Sequence, residues 1–104
     1  MKLVHLNEQA GFLDKSPKMT VVHESEFMKV ISFNFKAGQG LPLHSHDIEG
    51  ELVLCVLEGT GEFLAKDSAT PAKPGDTLVC PIATPHGVRA TTDMRVLVTI
   101  APPI

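Results

Sequence analysis

The sequence is short of basic residues and of long apolar segments, and each shortage excludes a class of function. Nine Lys and Arg residues stand against twelve Asp and Glu in 104 residues, a formal net charge of −3. Nucleic acids and anionic membranes bind clusters of positive charge, and the sequence has no such cluster, so we expect neither as a partner. No segment resembles a signal peptide or a membrane span, so we expect a cytoplasmic protein.

Cysteine is also scarce, with only Cys55 and Cys80, and both lie in apolar stretches. Disulfides are rare in proteins that are not exported, so we expect two thiols that pack as small apolar side chains. A thiolate metal ligand is the less favoured alternative. A chain of this length fits one domain, residues 1–104, whose core needs no disulfide.

What the sequence does contain is a series of short apolar segments separated by turn residues, among them eight Gly and eight Pro. Segments rich in β-branched and aromatic residues predict strands at 19–23, 27–35, 51–59, 77–81 and 94–100. Only "NEQAGFLDK" near the start could form a helical turn. Many short strands predict an all-β fold, a sandwich or a barrel, and closure as a barrel would protect the strand edges.

The stretch "LPLHSHDIEGE", residues 41–51, holds two of the five histidines and three acidic residues. Strand side chains two residues apart point to the same side, roughly 7 Å apart, so His44 and His46 would share one face. Two imidazoles in that arrangement can both reach one ion at about 2.0–2.1 Å. His86, after a Pro-bounded bend, can be aimed toward the same place. We expect His5 and His23 to be surface residues.

Three imidazoles and one carboxylate suit Fe, Mn, Ni, Cu or Zn better than Ca or Mg. Such a ligand set would hold one divalent transition metal per chain. An H-x-H pair on its own is a weak signal, because such pairs also arise by chance at surfaces.

Residues 38–59 and 75–90 resemble, in order and in internal spacing, the two motifs of the cupin superfamily, small β-barrels with a metal site at the barrel mouth. The first motif is G, five residues, H-x-H, three or four residues, E, about six residues and G. Here the first glycine and both histidines match, and Glu51 follows after four residues.

The second motif is G, five residues, P-x-G, two residues, H, three residues and N. Gly75, Pro81 and His86 match in spacing, whereas Ala83 stands where Gly is usual and Ala90 where Asn is usual. Both changes fall on turn and scaffold positions, so they weaken the resemblance little.

The acidic position of the first motif departs from the pattern. Seven residues separate Glu51 from Gly59 instead of six, and strand parity counted back from that glycine puts Leu52 in the ligand position. A β-bulge would absorb the extra residue and return Glu51 to the metal side. Glu49 could instead reach in from the loop, or the site could consist of three histidines and water.

The resemblance implies a cupin-type β-barrel, also described as a double-stranded β-helix or jelly roll, with His44, His46, His86 and Glu51 as metal ligands. It implies a metal-dependent enzyme, in the first place a dioxygenase or related oxidoreductase acting on a small organic molecule. The alternative is a non-catalytic cupin module that binds or senses a small ligand or a metal.

The resemblance also implies a homodimer, and the apolar segments 12–22 and 96–104 are candidates for its contact. We expect the apolar wall of the pocket to include Val53, Val79 and Val88.

Overall fold

The computed structural model describes all 104 residues and consists of nine strands and one short 3₁₀ turn, Leu6–Gln9. The strands are β1 Lys18–Glu24, β2 Lys29–Phe35, β3 Gly40–His44, β4 Glu51–Glu58, β5 Gly61–Leu64, β6 Ala69–Ala72, β7 Thr77–Pro81, β8 His86–Ala90 and β9 Met94–Ala101. The all-β prediction is therefore confirmed. No helix is long and apolar enough to cross a membrane.

The strands form two antiparallel sheets. The five-stranded sheet has the order β1-β2-β9-β4-β7, and the four-stranded sheet has the order β3-β8-β5-β6. Strand side chains alternate between faces, so every second residue of β2, β4 and β9 enters the core between the sheets. The core residues are Ile31, Phe33, Phe35, Leu52, Leu54, Val56, Phe63, Ala72, Ile82, Val88, Ala90, Met94, Val96, Val98 and Ile100.

Strand β4 lies between β7 and β9 with a regular register at its start. Glu51 pairs with Pro81 on one side and with Ala101 on the other. The register of β4 against β9 shifts only between Val56 and Glu58, at the opposite end of the strand. The side chains of β4 therefore alternate regularly at Glu51, and no bulge at the start of the strand turns Glu51 to the inner face.

The outer face of the five-stranded sheet carries a buried charge. Arg95 is only 3% exposed. Its guanidinium donates to Asn34 Oδ1 at 3.2 Å and to the carbonyl of Leu6 at 2.6 Å. It also donates to Asn7 Oδ1 at 3.2 Å and to Glu58 Oε1 at 3.3 Å. A buried charge persists only when its donors are satisfied, and here the N-terminal segment supplies two of the acceptors.

Asn34 completes this anchor. Its amide donates to the carbonyls of Gln9 at 3.0 Å and Gly11 at 2.8 Å, and the whole residue is 2% exposed. The segment before β1 is thus held across the outer face of β2 and β9 by hydrogen bonds to two buried polar side chains.

Replacing Asn34 by Ala should lower the free energy of unfolding by about 2–4 kcal/mol, because it removes three hydrogen bonds and leaves the Nε–H of Arg95 without an acceptor. Urea denaturation with an unchanged m-value measures this. Asn7→Ala removes one bond at an exposed residue and serves as the control, with an expected loss below about 1 kcal/mol. Equal losses in the two variants would contradict the anchor role of Asn34.

Candidate metal centre

Two of the predicted histidines lie opposite each other on neighbouring strands. In the β3–β8 pair, His44 is the direct partner of His86, and their ring centres are 4.5 Å apart. His46 follows just after the end of β3, with its ring centre 5.5 Å from that of His44. The structure therefore brings together the three histidines that the two motifs contributed separately.

Glycine at position 87 makes this pairing possible. A Cβ on Gly87 would lie 2.7 Å from the carbonyl oxygen of Leu41 and 3.1 Å from the backbone nitrogen of Leu43. Real Cβ atoms do not approach backbone this closely, so any larger residue would push β3 away from β8. The same displacement would separate His44 from His86.

Two of the imidazoles are held in the orientation that metal-binding histidines adopt. The Nδ1 of His44 lies 2.7 Å from the carbonyl oxygen of Pro42, and the Nδ1 of His86 lies 2.7 Å from that of Thr84. A carbonyl only accepts, so each Nδ1 carries a proton, and the tautomer that this selects has its lone pair on Nε2. Ligating histidines commonly donate their other N–H to a backbone carbonyl in this way.

His86 is also kept neutral by its surroundings. Burial lowers its pKa below the ordinary value, and the neighbouring His44 and His46 lower it further. The hydrogen bond to Thr84 acts in the opposite direction but does not offset the burial. The Nε2 lone pair of His86 is consequently available at pH 7.

The three histidines line a cavity of about 240 Å³ that is otherwise apolar. Its eight apolar residues are Ile31, Phe33, Leu41, Leu52, Leu54, Val98, Ile100 and Ile104. The volume falls below the range of roughly 300–1,000 Å³ typical of drug-sized ligands. The cavity therefore suits a small molecule with one polar group and an apolar body.

Neither acidic candidate reaches this cavity. Glu51 is exposed and does not line it, whereas Leu52 is 2% exposed and does. The reason is the regular register at the start of β4: the bulge that would have returned Glu51 to the inner face lies instead beyond Val56. Glu49 is exposed in the loop before β4 and is not a lining residue either.

The expected pocket wall was also wrong. Val53 and Val79 pair with each other on the outer face of the sheet, and Val79 is 58% exposed. Val88 is buried in the core but does not line the cavity. The residues of β4 that line the cavity are Leu52 and Leu54. Strand parity counted back from Gly59 had already put Leu52 on the inner face, so the sequence contained this information.

Both cysteines are free. Burial raises the pKa of the Cys80 thiol, which keeps it protonated at neutral pH and unsuited to bind a metal as a thiolate.

The donor chemistry of the three histidines fits a first-row transition metal, but the side chains do not form a preassembled site. No group of three or more His, Cys, Asp or Glu side chains is arranged so that it could already hold a metal ion. Two imidazoles on one ion at about 2.0–2.1 Å have ring centres roughly 4.5–5.5 Å apart, and both measured separations fall in that range. Exposed His46, which has no hydrogen bond from its ring, is the least fixed of the three.

Introducing the missing acid at the inner-facing position tests this geometry. Leu52→Glu should lower the free energy of unfolding by about 2 kcal/mol or more without metal, because it buries a carboxylate. At a zinc concentration 100 times the dissociation constant of the variant, zinc should restore about 2.7 kcal/mol. The same zinc concentration should stabilise the wild type less, because the wild type lacks the fourth ligand. Urea denaturation with and without zinc measures both effects.

Val53→Glu, on the outer face of the same strand, is the matched control and should gain nothing extra from zinc. If Leu52→Glu responds to zinc no more than this control, position 52 does not face the histidines.

Comparisons with known proteins identify the family of this chain. The family model of the Cupin domain matches residues 31–100. An RmlC-like cupin protein from Desulfovibrio desulfuricans is 61% identical, with a TM-score of 0.95, over 100% of this chain and 99% of that one. The TT1209 protein from Thermus thermophilus is 25% identical, with a TM-score of 0.89, over the full length of both chains.

A third solved structure, KdgF from a Halomonas species, shares the fold with a TM-score of 0.80 at 22% identity, over 92% of this chain and 91% of that one. A search of curated proteins found no match. The two sheets, the histidines of both motifs and these likenesses lead to one conclusion: the chain is a small single-domain member of the cupin family.

Proposed function

We propose that this cupin is a metal-dependent enzyme for a small organic molecule and that His44, His46 and His86 hold one divalent transition metal. The observation that carries the proposal is the pair of Nδ1 hydrogen bonds to Pro42 and Thr84, which leaves the Nε2 lone pairs of two facing imidazoles free beside the cavity. Neutral imidazoles suit Fe, Mn, Ni, Cu or Zn.

The proposed ligand set leaves room for a reactant. Three protein ligands leave coordination positions open, which distinguishes a reactive site from a closed structural one. A bound ion would supply Lewis-acid or redox chemistry at those positions. The chain itself contributes an apolar wall, including Leu52 and Leu54, that limits the access of water and holds the body of the substrate.

Among reactions, oxygen-dependent oxidation by a dioxygenase or related oxidoreductase agrees best with the residues present. The three histidines are the only titratable side chains lining the cavity. With all three engaged as ligands, no carboxylate or other side chain remains there to act as a general acid or base. Redox chemistry at a metal depends less on such a group than hydrolysis or isomerisation does. The fold itself does not select a reaction.

A second candidate function is binding without turnover. The absence of a preassembled group of metal ligands favours it, since an apolar cavity can hold a small molecule without any ion. Oxygen consumption with a panel of small diketones and thiols separates the two: the enzyme consumes oxygen in a metal-dependent manner, and a binding module does not.

We also propose that the working unit is a homodimer in the cytoplasm. On β1, Met19 lies opposite Phe33 and Val21 opposite Ile31, so both continue the inner apolar face of the sheet. They are nevertheless 57% and 47% exposed. The accessible surface of 6186 Å² exceeds the roughly 5,700 Å² expected of a monomer of this mass. A second copy would cover this edge.

Elemental analysis of untagged protein should find about one Fe, Mn, Ni, Cu or Zn per chain, and His86→Ala should lose it because one of three donors is gone. Glu51→Gln should keep the metal, because its side chain lies outside the cavity. His23→Ala, at a histidine that does not line the cavity, is the control. Loss of metal in Glu51→Gln would instead show that Glu51 is a metal ligand. If the wild type takes up none of the five metals, the proposed metal site is refuted and binding without turnover is the remaining candidate function.

The double variant Met19→Glu and Val21→Glu should sediment as a monomer where the wild type sediments as a dimer, because two carboxylates cannot be buried in an apolar contact. Analytical ultracentrifugation over a range of micromolar concentrations measures this. Val79→Glu places a charge on an equally exposed valine of β7 and should leave the dimer intact. A monomeric wild type would refute the proposal.

A further inference from the structure

One wall of the cavity is not built by a strand. Nine of the eleven lining residues belong to β2, β3, β4, β8 or β9, and His46 lies in the loop after β3. The remaining one is Ile104, in the segment that follows β9. Strand residues are fixed by hydrogen-bonded ladders on their neighbours, so Ile104 is the part of the wall that the sheets do not determine.

Specific contacts bring this segment to the cavity. Pro102 and Pro103 have no N–H and cannot extend the ladder of β9. The chain instead passes so close to Gly50 that a Cβ there would lie 2.5 Å from both the Ala101 carbonyl oxygen and the Pro102 Cδ. The Lys29 ammonium then donates to the Ile104 carbonyl oxygen at 3.4 Å.

Lys29 lies next to residues that line the cavity. It pairs with Ile100 in the β2–β9 ladder, on the same face as Ile31, and both isoleucines line the cavity. Its ammonium also lies 3.3 Å from a carboxylate oxygen of Glu24. The hydrogen bond from Lys29 therefore holds Ile104 beside the end of the cavity that these two isoleucines line.

We propose that Ile104 is a specificity-determining residue that sets how long an apolar chain a ligand of this cavity can carry. The proposal rests on the proposed function only in placing the polar head of the ligand at the three histidines, the only polar side chains of the lining. The apolar body must then lie against the remaining wall, of which Ile104 is a part. The ligand class is a small molecule with one polar head and an apolar body.

Two homologous series test this without knowledge of the natural ligand. Straight-chain alcohols are titrated into metal-free protein, where the hydroxyl can donate to an imidazole Nε2. Straight-chain carboxylates are titrated into zinc-treated protein. Chemical shifts of the leucine and isoleucine methyl groups of the cavity report binding in both series. Ile104→Ala removes three carbon atoms from the wall, while Ile104→Phe enlarges it.

Ile104→Ala should move the tightest-binding chain length upward by about two methylene groups, and the longer homologues should bind roughly 15-fold tighter, since each newly buried methylene is worth about fourfold in affinity. Ile104→Phe should move it downward. The control is Ile48→Ala, because Ile48 is 37% exposed against 39% for Ile104 but does not line the cavity. It should match the wild type.

The same length preference in Ile104→Ala, Ile104→Phe and the wild type would overturn the role of Ile104 while leaving the proposed function intact. Alcohols that show the expected length dependence, combined with no uptake of Fe, Mn, Ni, Cu or Zn, would support the role of Ile104 and overturn the metal site. Binding of neither series at any length would overturn both.

Discussion

The close approach of β3 to β8 is the constraint on which the site depends. A glycine on each strand permits it: a Cβ on Gly40 would lie 2.0 Å from the carbonyl oxygen of Val88, and a Cβ on Gly87 would meet the backbone of β3. This approach places His44 opposite His86 and carries His46, two residues further on, to the same cavity. The close packing of the two strand backbones therefore fixes the relative positions of the histidines, and contacts between the side chains are not needed for this.

The sequence predicted most of the fold and the three histidines because both depend on local signals. Alternating apolar residues and turn residues mark the strands, and the motif spacing marks the histidines. The orientation of Glu51 was left open, because strand parity favoured Leu52 as the inner-facing residue whereas the motif spacing favoured Glu51. The choice depends on where β4 shifts register against β9, and that shift occurs between Val56 and Glu58.

The burial of Arg95 is a second feature that could not be predicted from the sequence. Within "MRVLVTI", Arg95 reads as an ordinary outward-facing position of a strand with one solvated face. In the structure it is covered by residues 6–11, nearly ninety positions earlier in the chain, and Asn34 connects the two. A charge of this kind can be recognised as buried only when its distant acceptors are known. For the same reason Ile104 could not be assigned to the cavity from the sequence.

The inner-facing position 52 is occupied by leucine, so no carboxylate from β4 lies beside the three histidines. Backbone carbonyls orient the rings of His44 and His86, and no carboxylate lines the cavity. A divalent cation held by three imidazoles would keep its full positive charge, in an apolar cavity where charges interact more strongly than in water. The most favourable compensation is an anionic group on the ligand itself. Under the proposed function, the absence of a carboxylate from the cavity would therefore favour a substrate that brings its own oxygen donor.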